Sequence, residues 1–127
     1  MSSPSEVERV DVLVVEDDAS NREVIMEVLL AEGYSVAGAE DGADALRWLA
    51  DRPPPSLILL DLMMPVMNGW EFRSAQRADP RIAAIPVVLV SAGAFTGEAA
   101  EGFGAIASVR KPVRLDELLA TVRRCCR

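Results

Sequence analysis

The sequence contains no histidine and only two cysteines, so several kinds of chemistry are closed to it. Without an imidazole, the chain cannot supply a histidine base, a histidine metal ligand or a phosphohistidine of its own. Cys125 and Cys126 are adjacent near the end of the chain, where they are badly placed to bridge each other and have no other cysteine to pair with. A disulfide framework is therefore excluded, and we expect two reduced thiols at the end of a helix.

Long apolar runs and an excess of positive charge are also lacking. No apolar run reaches the length of a membrane span, and the opening residues lack the regions of a signal peptide, so we expect a cytoplasmic protein with no membrane partner. The 13 basic residues are outnumbered by 20 acidic ones, which gives a net charge of −7. Such a surface repels a polyphosphate backbone, so we expect no direct contact with nucleic acid.

What the sequence does have is a regular alternation of short apolar runs and helical patterns. A chain of 127 residues, of which 50% are apolar and 26% charged, suits one globular domain. Three runs predict strands buried on both faces, and two weaker runs predict less buried strands. In chain order the five are Val12–Val15, Ser35–Ala37, Leu57–Leu60, Pro86–Val90 and Ile106–Val109. The fold class is therefore α/β, with a parallel sheet, helices on both faces and right-handed crossovers.

The helix boundaries and inner faces follow from capping residues and apolar spacing. Ser20 and Glu23 predict a capping box at the start of the first helix, and Gly33 predicts a left-handed end. Asp41 predicts the cap of the second helix, the third is expected over about 68–78, and a short, poorly patterned helix over about 96–102. The side chains expected to face the core are Val24, Ile25, Val28 and Leu29 in the first helix and Leu115, Leu118, Leu119 and Val122 in the last.

The residues that follow the strands carry most of the chemistry. In an open parallel sheet, a site forms beyond the carboxyl ends of the strands, near the switch in strand order. Asp18 follows the first strand, where we expect a turn former or a helix cap. The groups expected to gather at this edge are three carboxylates, a hydroxyl and an ammonium, from Glu16, Asp17, Asp61, Ser91 and Lys111.

These groups together suit a phosphoryl-transfer reaction. Crowded carboxylates are costly unless a small hard cation neutralises them, and Mg²⁺ fits this task best. An ionised Asp61 can act as a nucleophile, while the cation and Lys111 would offset the charge of an incoming phosphoryl group. Ser91 could hydrogen-bond one of the phosphoryl oxygens. Because the chain has no histidine, it would be the acceptor in such a reaction.

The motifs around these residues closely resemble those of the receiver domain of two-component response regulators, the CheY-like family. They are Val-Val-Glu-Asp-Asp at 14–18, Leu-Leu-Asp-Leu-Met-Met-Pro at 59–65, Met-Asn-Gly at 67–69, Val-Ser-Ala at 90–92 and Lys-Pro at 111–112. In this order and spacing the motifs are highly specific, and the match covers residues 11–124. The resemblance implies a doubly wound five-stranded sheet of order 2-1-3-4-5.

The resemblance also implies a role for each residue at the strand ends. Asp61 would be the phosphorylated residue, Ser91 the hydroxyl switch and Lys111 the phosphate contact, with a cis bond before Pro112. The ligands of a Mg²⁺ or Mn²⁺ ion would be Asp17, Asp61 and the backbone carbonyl of Met63, with Glu16 acting largely through water.

As a function, the resemblance implies a phosphoacceptor in a two-component phosphorelay. A partner histidine kinase or histidine phosphotransfer protein would supply the phosphoryl group, and a downstream protein would receive the response. Enzymatic activity would be limited to transfer to, and hydrolysis from, the chain's own Asp61. We expect a short leader over residues 1–10 and a receiver domain over 11–127, as a monomer or weak homodimer. A stand-alone receiver is favoured, with excision from a longer regulator or a hybrid kinase as the alternative.

Two departures from the family pattern keep a second interpretation open. Ser108 stands where such receivers commonly carry an aromatic residue, and the stretch before it is rich in glycine. A receiver-like binding module that works without phosphorylation is therefore the alternative function. Two further classes are disfavoured. A phosphatase of the haloacid dehalogenase type needs an acid–base aspartate where Met63 stands, and the carboxylate of Glu16 would repel the phosphate of a flavin.

Overall fold

The computed structural model describes residues 9–92 and 102–126, and five strands and four helices lie wholly within them. The strands are β1 (Val12–Val15), β2 (Val36–Ala39), β3 (Leu57–Asp61), β4 (Val87–Ser91) and β5 (Ala107–Arg110). The helices are α1 (Ala19–Ala31), α2 (Gly42–Leu49), α3 (Gly69–Ala78) and α4 (Leu115–Cys125). Each strand overlaps the run that predicted it, with boundaries that differ by no more than two residues.

The strands form one parallel sheet in the order β2-β1-β3-β4-β5, as the resemblance implied. The register pairs Val15 with Leu60 across β1 and β3, and Asp61 with Val90 across β3 and β4. Ser91 is paired with Arg110 at the ends of β4 and β5. All five carboxyl ends therefore meet at one edge of the sheet, where the polar residues of the sequence are concentrated.

The three central strands are buried on both faces, which explains their unbroken aliphatic sequences. On one face, residues such as Leu13 and Leu60 join a core cluster with Phe72 of α3 and Leu49 of α2. On the other face, the alternate residues of the same strands form a second cluster with α1 and α4. Its members from these helices include Ile25, Leu29, Leu118 and Val122. The polar groups are thus confined to the ends of rigid strands.

The start of α1 differs from the prediction. The N-cap is Asp18, whose carboxylate accepts a hydrogen bond from the backbone N–H of Asn21 at 3.0 Å, so the capping box of Ser20 and Glu23 was wrong. Asp18 prevails because it lies just before the first helical residue, in extended backbone conformation, where a side-chain acceptor can reach the free N–H groups. The expected role of Asp18 as a helix cap is confirmed.

The other predicted helix ends are confirmed. Asp41 caps α2, and Asn68 caps α3 in a reciprocal capping box with Glu71. Gly33 adopts φ of 96° after α1, the left-handed conformation expected of it. The helix expected over about 96–102 falls almost entirely on residues 93–101, which lie outside the described residues.

The inner faces of the outer helices were predicted too broadly. Val24 of α1 is 46% exposed and Leu115 of α4 is 36% exposed, whereas Thr121 is buried and donates to the Glu117 carbonyl at 2.9 Å. A hydroxyl that bonds the preceding turn can enter a core, a possibility that apolar spacing does not reveal. Among the described residues, no helix is long and apolar enough to cross a membrane.

Two arginines of α3 fix the chain just before β5, and we call Arg73 and Arg77 the arginine clamp. Arg73 donates from Nε to the Phe103 carbonyl at 2.9 Å and from Nη2 to the Gly104 carbonyl at 3.2 Å. Arg77 donates to the carbonyls of Gly102 at 2.9 Å and Phe103 at 2.8 Å. The start of β5 is thereby anchored to the helix that follows β3.

Replacing Gly104 with alanine should lower the free energy of unfolding by about 1 to 3 kcal/mol. The reasons are its φ of 75° and a Cβ that would lie 2.5 Å from Nη2 of Arg77, which would force the arginine clamp to shift. Urea unfolding measures the change. Gly102→Ala is the matched control, since a Cβ there meets nothing within 4 Å, and its effect should stay below about 0.5 kcal/mol. Equal losses of stability in the two variants would contradict a special requirement for glycine at position 104.

Candidate functional site

Three carboxylates meet at the carboxyl edge of the sheet. Glu16 and Asp17 follow β1, Asp61 ends β3, and one carboxylate oxygen from each lies within 4.8 Å of those of the other two. Glu16 and Asp61 are each only 2% exposed, whereas Asp17 is exposed. Such a group is electrostatically unfavourable unless positive charge accompanies it.

Lys111 supplies one positive charge to this cluster. Its ammonium lies 3.1 Å from Oε1 of Glu16 and 3.0 Å from Oδ2 of Asp61, so it bridges two carboxylates from different strands. The backbone N–H of Lys111 donates to the Ser91 carbonyl at 2.8 Å, which continues the pairing of β4 and β5 by one residue. The peptide bond between Lys111 and Pro112 is cis, as the resemblance implied.

Backbone N–H groups hold the remaining oxygens of the two buried carboxylates. Asp18 donates to Oε2 of Glu16 at 3.1 Å, and Met63 donates to Oδ1 of Asp61 at 3.2 Å. Each carboxylate is thus fixed by one ammonium and one peptide group. Within the described residues, no hydrogen bond or ion pair holds the carboxylate of Asp17, so its position depends on the backbone of the turn after β1.

The first residue of α3 packs directly against the backbone of Asp61. The N–H of Gly69 donates to the Leu62 carbonyl at 2.9 Å. A Cβ at Gly69 would lie 2.9 Å from the Asp61 carbonyl oxygen and 2.9 Å from Cα of Leu62, closer than real Cβ contacts come. Glycine is therefore required for this close approach, and the loop between β3 and α3 is held against its own helix.

The other residues singled out in the sequence lie around this cluster in different environments. Ser91 ends β4 and is 6% exposed, in the strand next to the one that Asp61 ends. Met63 is 70% exposed on the loop after β3. Ser108 is exposed and paired with Leu89 in the middle of β5, well before the strand end. The structure thus brings Glu16, Asp17, Asp61 and Lys111 into one group, with Ser91 on the adjacent strand end.

Sequence reasoning missed one residue of this region, Arg22. Its Nη1 donates to the backbone carbonyl of Glu16 at 2.7 Å, and the side chain is half-buried on the first turns of α1. The sequence contains no clear signal for this contact, because a charged residue on an amphipathic helix is ordinarily solvated.

Comparison with known proteins identifies the family. Residues 12–123 match the family model described as the response regulator receiver domain, which covers most of the chain. The chain belongs to this family. The predicted receiver function and fold are therefore confirmed, and the alternative of a binding module that works without phosphorylation is not favoured.

Named relatives of this receiver domain agree with the assignment. The DNA-binding response regulator MtrA of Mycobacterium tuberculosis (strain ATCC 25618 / H37Rv) is 40% identical over 114 residues, which are 88% of this chain and 48% of MtrA. The chain therefore spans about half the length of this curated relative.

Solved receiver structures share the fold closely. A response regulator receiver protein from Pseudomonas putida has a TM-score of 0.82 at 32% identity, covering 91% of this chain and 97% of that one. The receiver domain of a sensor histidine kinase from Pseudomonas aeruginosa PAO1 has a TM-score of 0.80 at 28% identity, covering 92% and 97%. The latter was solved with a magnesium ion coordinated in its active-site cleft.

The electrostatics of this receiver site raise the pKa of both Glu16 and Lys111. Burial, aided by the nearby charge of Asp61, raises the pKa of Glu16 from 4.5 to about 7, although hydrogen bonds from Asp18 and Lys111 oppose the rise. Burial alone would lower the pKa of Lys111, but its hydrogen bonds and attraction to Asp61 and Glu16 outweigh this effect and raise it. The lysine therefore stays protonated at neutral pH.

Raising the pH should destabilise the metal-free protein through Glu16. Because the pKa of this carboxyl rises from 4.5 to about 7 on folding, the folded state holds the proton more tightly within this window. The contribution of Glu16 to the free energy of unfolding is therefore complete below a pH of 4.5, and it is lost as the pH rises through about 7. Measured with a chelator present, the thermal midpoint of wild type should fall roughly 3 to 8 °C further than that of Glu16→Gln across the window. Parallel curves for the two proteins would contradict the raised pKa.

Proposed function

We propose that Asp61 is the phosphoacceptor of this receiver domain and takes its phosphoryl group from the phosphohistidine of a partner histidine kinase or histidine phosphotransfer protein. The observation that carries the proposal is the contact of a buried Asp61 carboxylate with Lys111 at 3.0 Å, inside a cluster with Glu16 and Asp17. Among the described carboxylates only Glu16 shares these features, and the receiver motif at 59–65 favours Asp61 as the acceptor.

A divalent cation fits the residues present. The three clustered donor atoms are carboxylate oxygens, the type that Mg²⁺ prefers, and they lie within 4.8 Å of one another. Because Mg²⁺ binds oxygens at about 2.0–2.1 Å, donors this close would be able to share one ion. Three carboxylates and one ammonium also leave an excess of negative charge. We assign Asp17, Asp61 and the Met63 carbonyl as ligands, with Glu16 acting largely through water, and Mn²⁺ as a substitute ion.

The transfer reaction follows from the chemistry of these groups. One carboxylate oxygen of Asp61 attacks the phosphorus of the partner's phosphohistidine, a P–O bond forms as the P–N bond breaks, and the electron pair of that bond returns to the leaving imidazole. The bound cation supplies charge neutralisation for the phosphoryl oxygens. Lys111 offsets further negative charge, and the Ser91 hydroxyl donates a hydrogen bond to a phosphoryl oxygen. Catalysis is limited to this transfer and to hydrolysis of the resulting acyl phosphate.

The response to phosphorylation is a change of protein contacts. Phosphorylation replaces the single negative charge of the Asp61 carboxylate with a group of about −1.5 to −2 charges and three acceptor oxygens, beside Lys111 and Ser91 at the ends of neighbouring strands. The loop after β3 and the end of β4 would then shift between two arrangements that a downstream protein distinguishes. We assign this receiver to residues 11–127, with residues 1–10 as a leader. A magnesium ion in the cleft of the related Pseudomonas aeruginosa receiver supports the cation in this scheme.

Incubation with acetyl phosphate and Mg²⁺ should add about 80 Da to wild type, the mass of one phosphoryl group. The gain should disappear in Asp61→Asn and when the cation is chelated, because the amide is a poor nucleophile and the crowded charges are no longer neutralised. Intact-mass spectrometry measures both effects. Asp51→Asn is the matched control, since Asp51 is an exposed aspartate outside the cluster, and its labelling should equal that of wild type. Full labelling of Asp61→Asn would refute the assignment of the acceptor.

Lys111→Ala should uncouple phosphorylation from the conformational response. Labelling should persist, because Asp61 and the cation ligands remain, but β5 loses the ammonium through which the new charge acts. The measurement is tryptophan fluorescence before and after labelling, since Trp70 on α3 packs edge-on against Phe103 with ring centroids 5.2 Å apart. Wild type should show a labelling-dependent change and the variant less than about a third of it. An equal change in both proteins would exclude Lys111 as the transmitting group.

A further inference from the structure

Arg22 occupies an unusual position beside the acidic cluster. Its guanidinium contacts no carboxylate of the cluster in the described contacts, and instead Nη1 donates to the backbone carbonyl of Glu16 at 2.7 Å. The side chain is half-buried, and its backbone N–H belongs to the first turn of α1 through a bond to the Asp18 carbonyl at 2.9 Å. Arg22 therefore links the helix to the turn that carries both acidic residues.

The stem of Arg22 is held against the edge strand β2. A Cβ at Gly38 would lie 3.1 Å from Cδ and 3.5 Å from Cγ of Arg22, and 2.8 Å from Sδ of Met26. The absence of a side chain at Gly38 thus leaves the space through which the arginine reaches the turn. This packing limits the rotamers of the side chain and directs its guanidinium toward Glu16.

The carbonyl that Arg22 contacts belongs to the peptide group between Glu16 and Asp17. A peptide group is planar and includes the Cα of the next residue. A hydrogen bond that fixes its oxygen therefore also fixes the plane in which the Asp17 Cα lies. The N–H of Glu16 is already bonded to the Ala39 carbonyl at 3.0 Å. With one end of the turn held by the sheet and the next peptide held by Arg22, the Asp17 Cα is fixed in position, which narrows the directions that its side chain can take.

Asp17 is the member of the cluster that needs such support. Glu16 and Asp61 are each held by Lys111 and by a backbone N–H, as described above. The Asp17 carboxylate is exposed and has no such partner among the described residues, so only the backbone can orient it. A group that fixes the Glu16–Asp17 peptide consequently controls where this third carboxylate oxygen lies.

We propose that Arg22 is a positioning residue for the divalent cation, acting through its hydrogen bond to the Glu16 carbonyl and so orienting Asp17. The inference rests on the proposed cation site. Two effects of Arg22 oppose each other, which makes the proposal decidable. Its positive charge repels a cation, whereas its hydrogen bond organises a ligand. A role through charge alone therefore predicts tighter binding when the arginine is removed, and a positioning role predicts weaker binding.

The experiment is isothermal titration of the metal-free protein with MgCl₂, which reports cation affinity without any phosphoryl transfer. Arg22→Met keeps an apolar stem but removes the donor, and it should weaken Mg²⁺ binding about tenfold, the low end of the range for groups that orient metal ligands. Arg22→Lys should recover part of the affinity. Because it also restores a repelling charge, such rescue cannot be electrostatic. Arg123→Met removes an equal charge from an ion pair with Glu32 and should bind as wild type does.

A second variant tests the geometry with the charge unchanged. The Cβ of Gly38→Ala should displace the stem of Arg22 and weaken Mg²⁺ binding about two- to fivefold. This variant supplies the test if Arg22→Met does not fold. If Arg22→Met folds and binds Mg²⁺ as tightly as wild type or more tightly, the inference is overturned. If Arg22→Met does not fold, the same result in Gly38→Ala overturns it. In both cases the proposed cation site itself stands. If wild type itself binds no Mg²⁺, both the cation site and the role of Arg22 are refuted.

Discussion

The ammonium of Lys111, placed between the carboxylates of Glu16 and Asp61, is the interaction on which the functional edge of this protein depends. It joins the ends of β1, β3 and β5, although β5 is two strands away from β3 in the sheet. Two buried carboxylates at such short range repel each other strongly, and one ammonium reduces this repulsion without removing it. The cluster therefore keeps an excess of negative charge, which attracts a divalent cation. The pKa of Glu16 is raised for the same reason, because burial and the charge of Asp61 outweigh the hydrogen bonds from Asp18 and Lys111.

The parallel sheet makes this arrangement possible because it places strand ends, and not whole strands, at the site. Aliphatic residues fill β1, β3 and β4 up to the last position or one before it, so the polar groups follow directly upon a rigid core. Peptide N–H groups from the loops then donate hydrogen bonds to the second carboxylate oxygen of Glu16 and of Asp61. Precision in the buried pair thus comes from the sheet and its loops, while the exposed Asp17 depends on the turn after β1. The division fits the proposed roles, in which a buried Asp61 reacts and Arg22 orients the exposed Asp17 toward a cation.

The strands and the groups at their ends could be predicted from the sequence because both depend on local pattern. A buried parallel strand has a continuous aliphatic sequence, and the polar residue that follows it must lie at the sheet edge. What could not be predicted depends on hydrogen bonds from single side chains to backbone carbonyls, which leave no pattern in the sequence. Gln76 is fully buried because its amide donates to the carbonyls of Ile82 and Ile85, both at 3.0 Å, and a glutamine on a helix gives no sign of this. Arg22 was missed for the same reason, since its partner is a backbone carbonyl.

The arginine clamp has a consequence for the position of Lys111. Because Arg73 and Arg77 hold the carbonyls of residues 102–104 from α3, the start of β5 takes its position from that helix as well as from β4. The location of Lys111 therefore depends on α3 as well as on the sheet. Loss of either arginine should move this lysine relative to Glu16 and Asp61, although neither arginine contacts the acidic cluster in the described contacts.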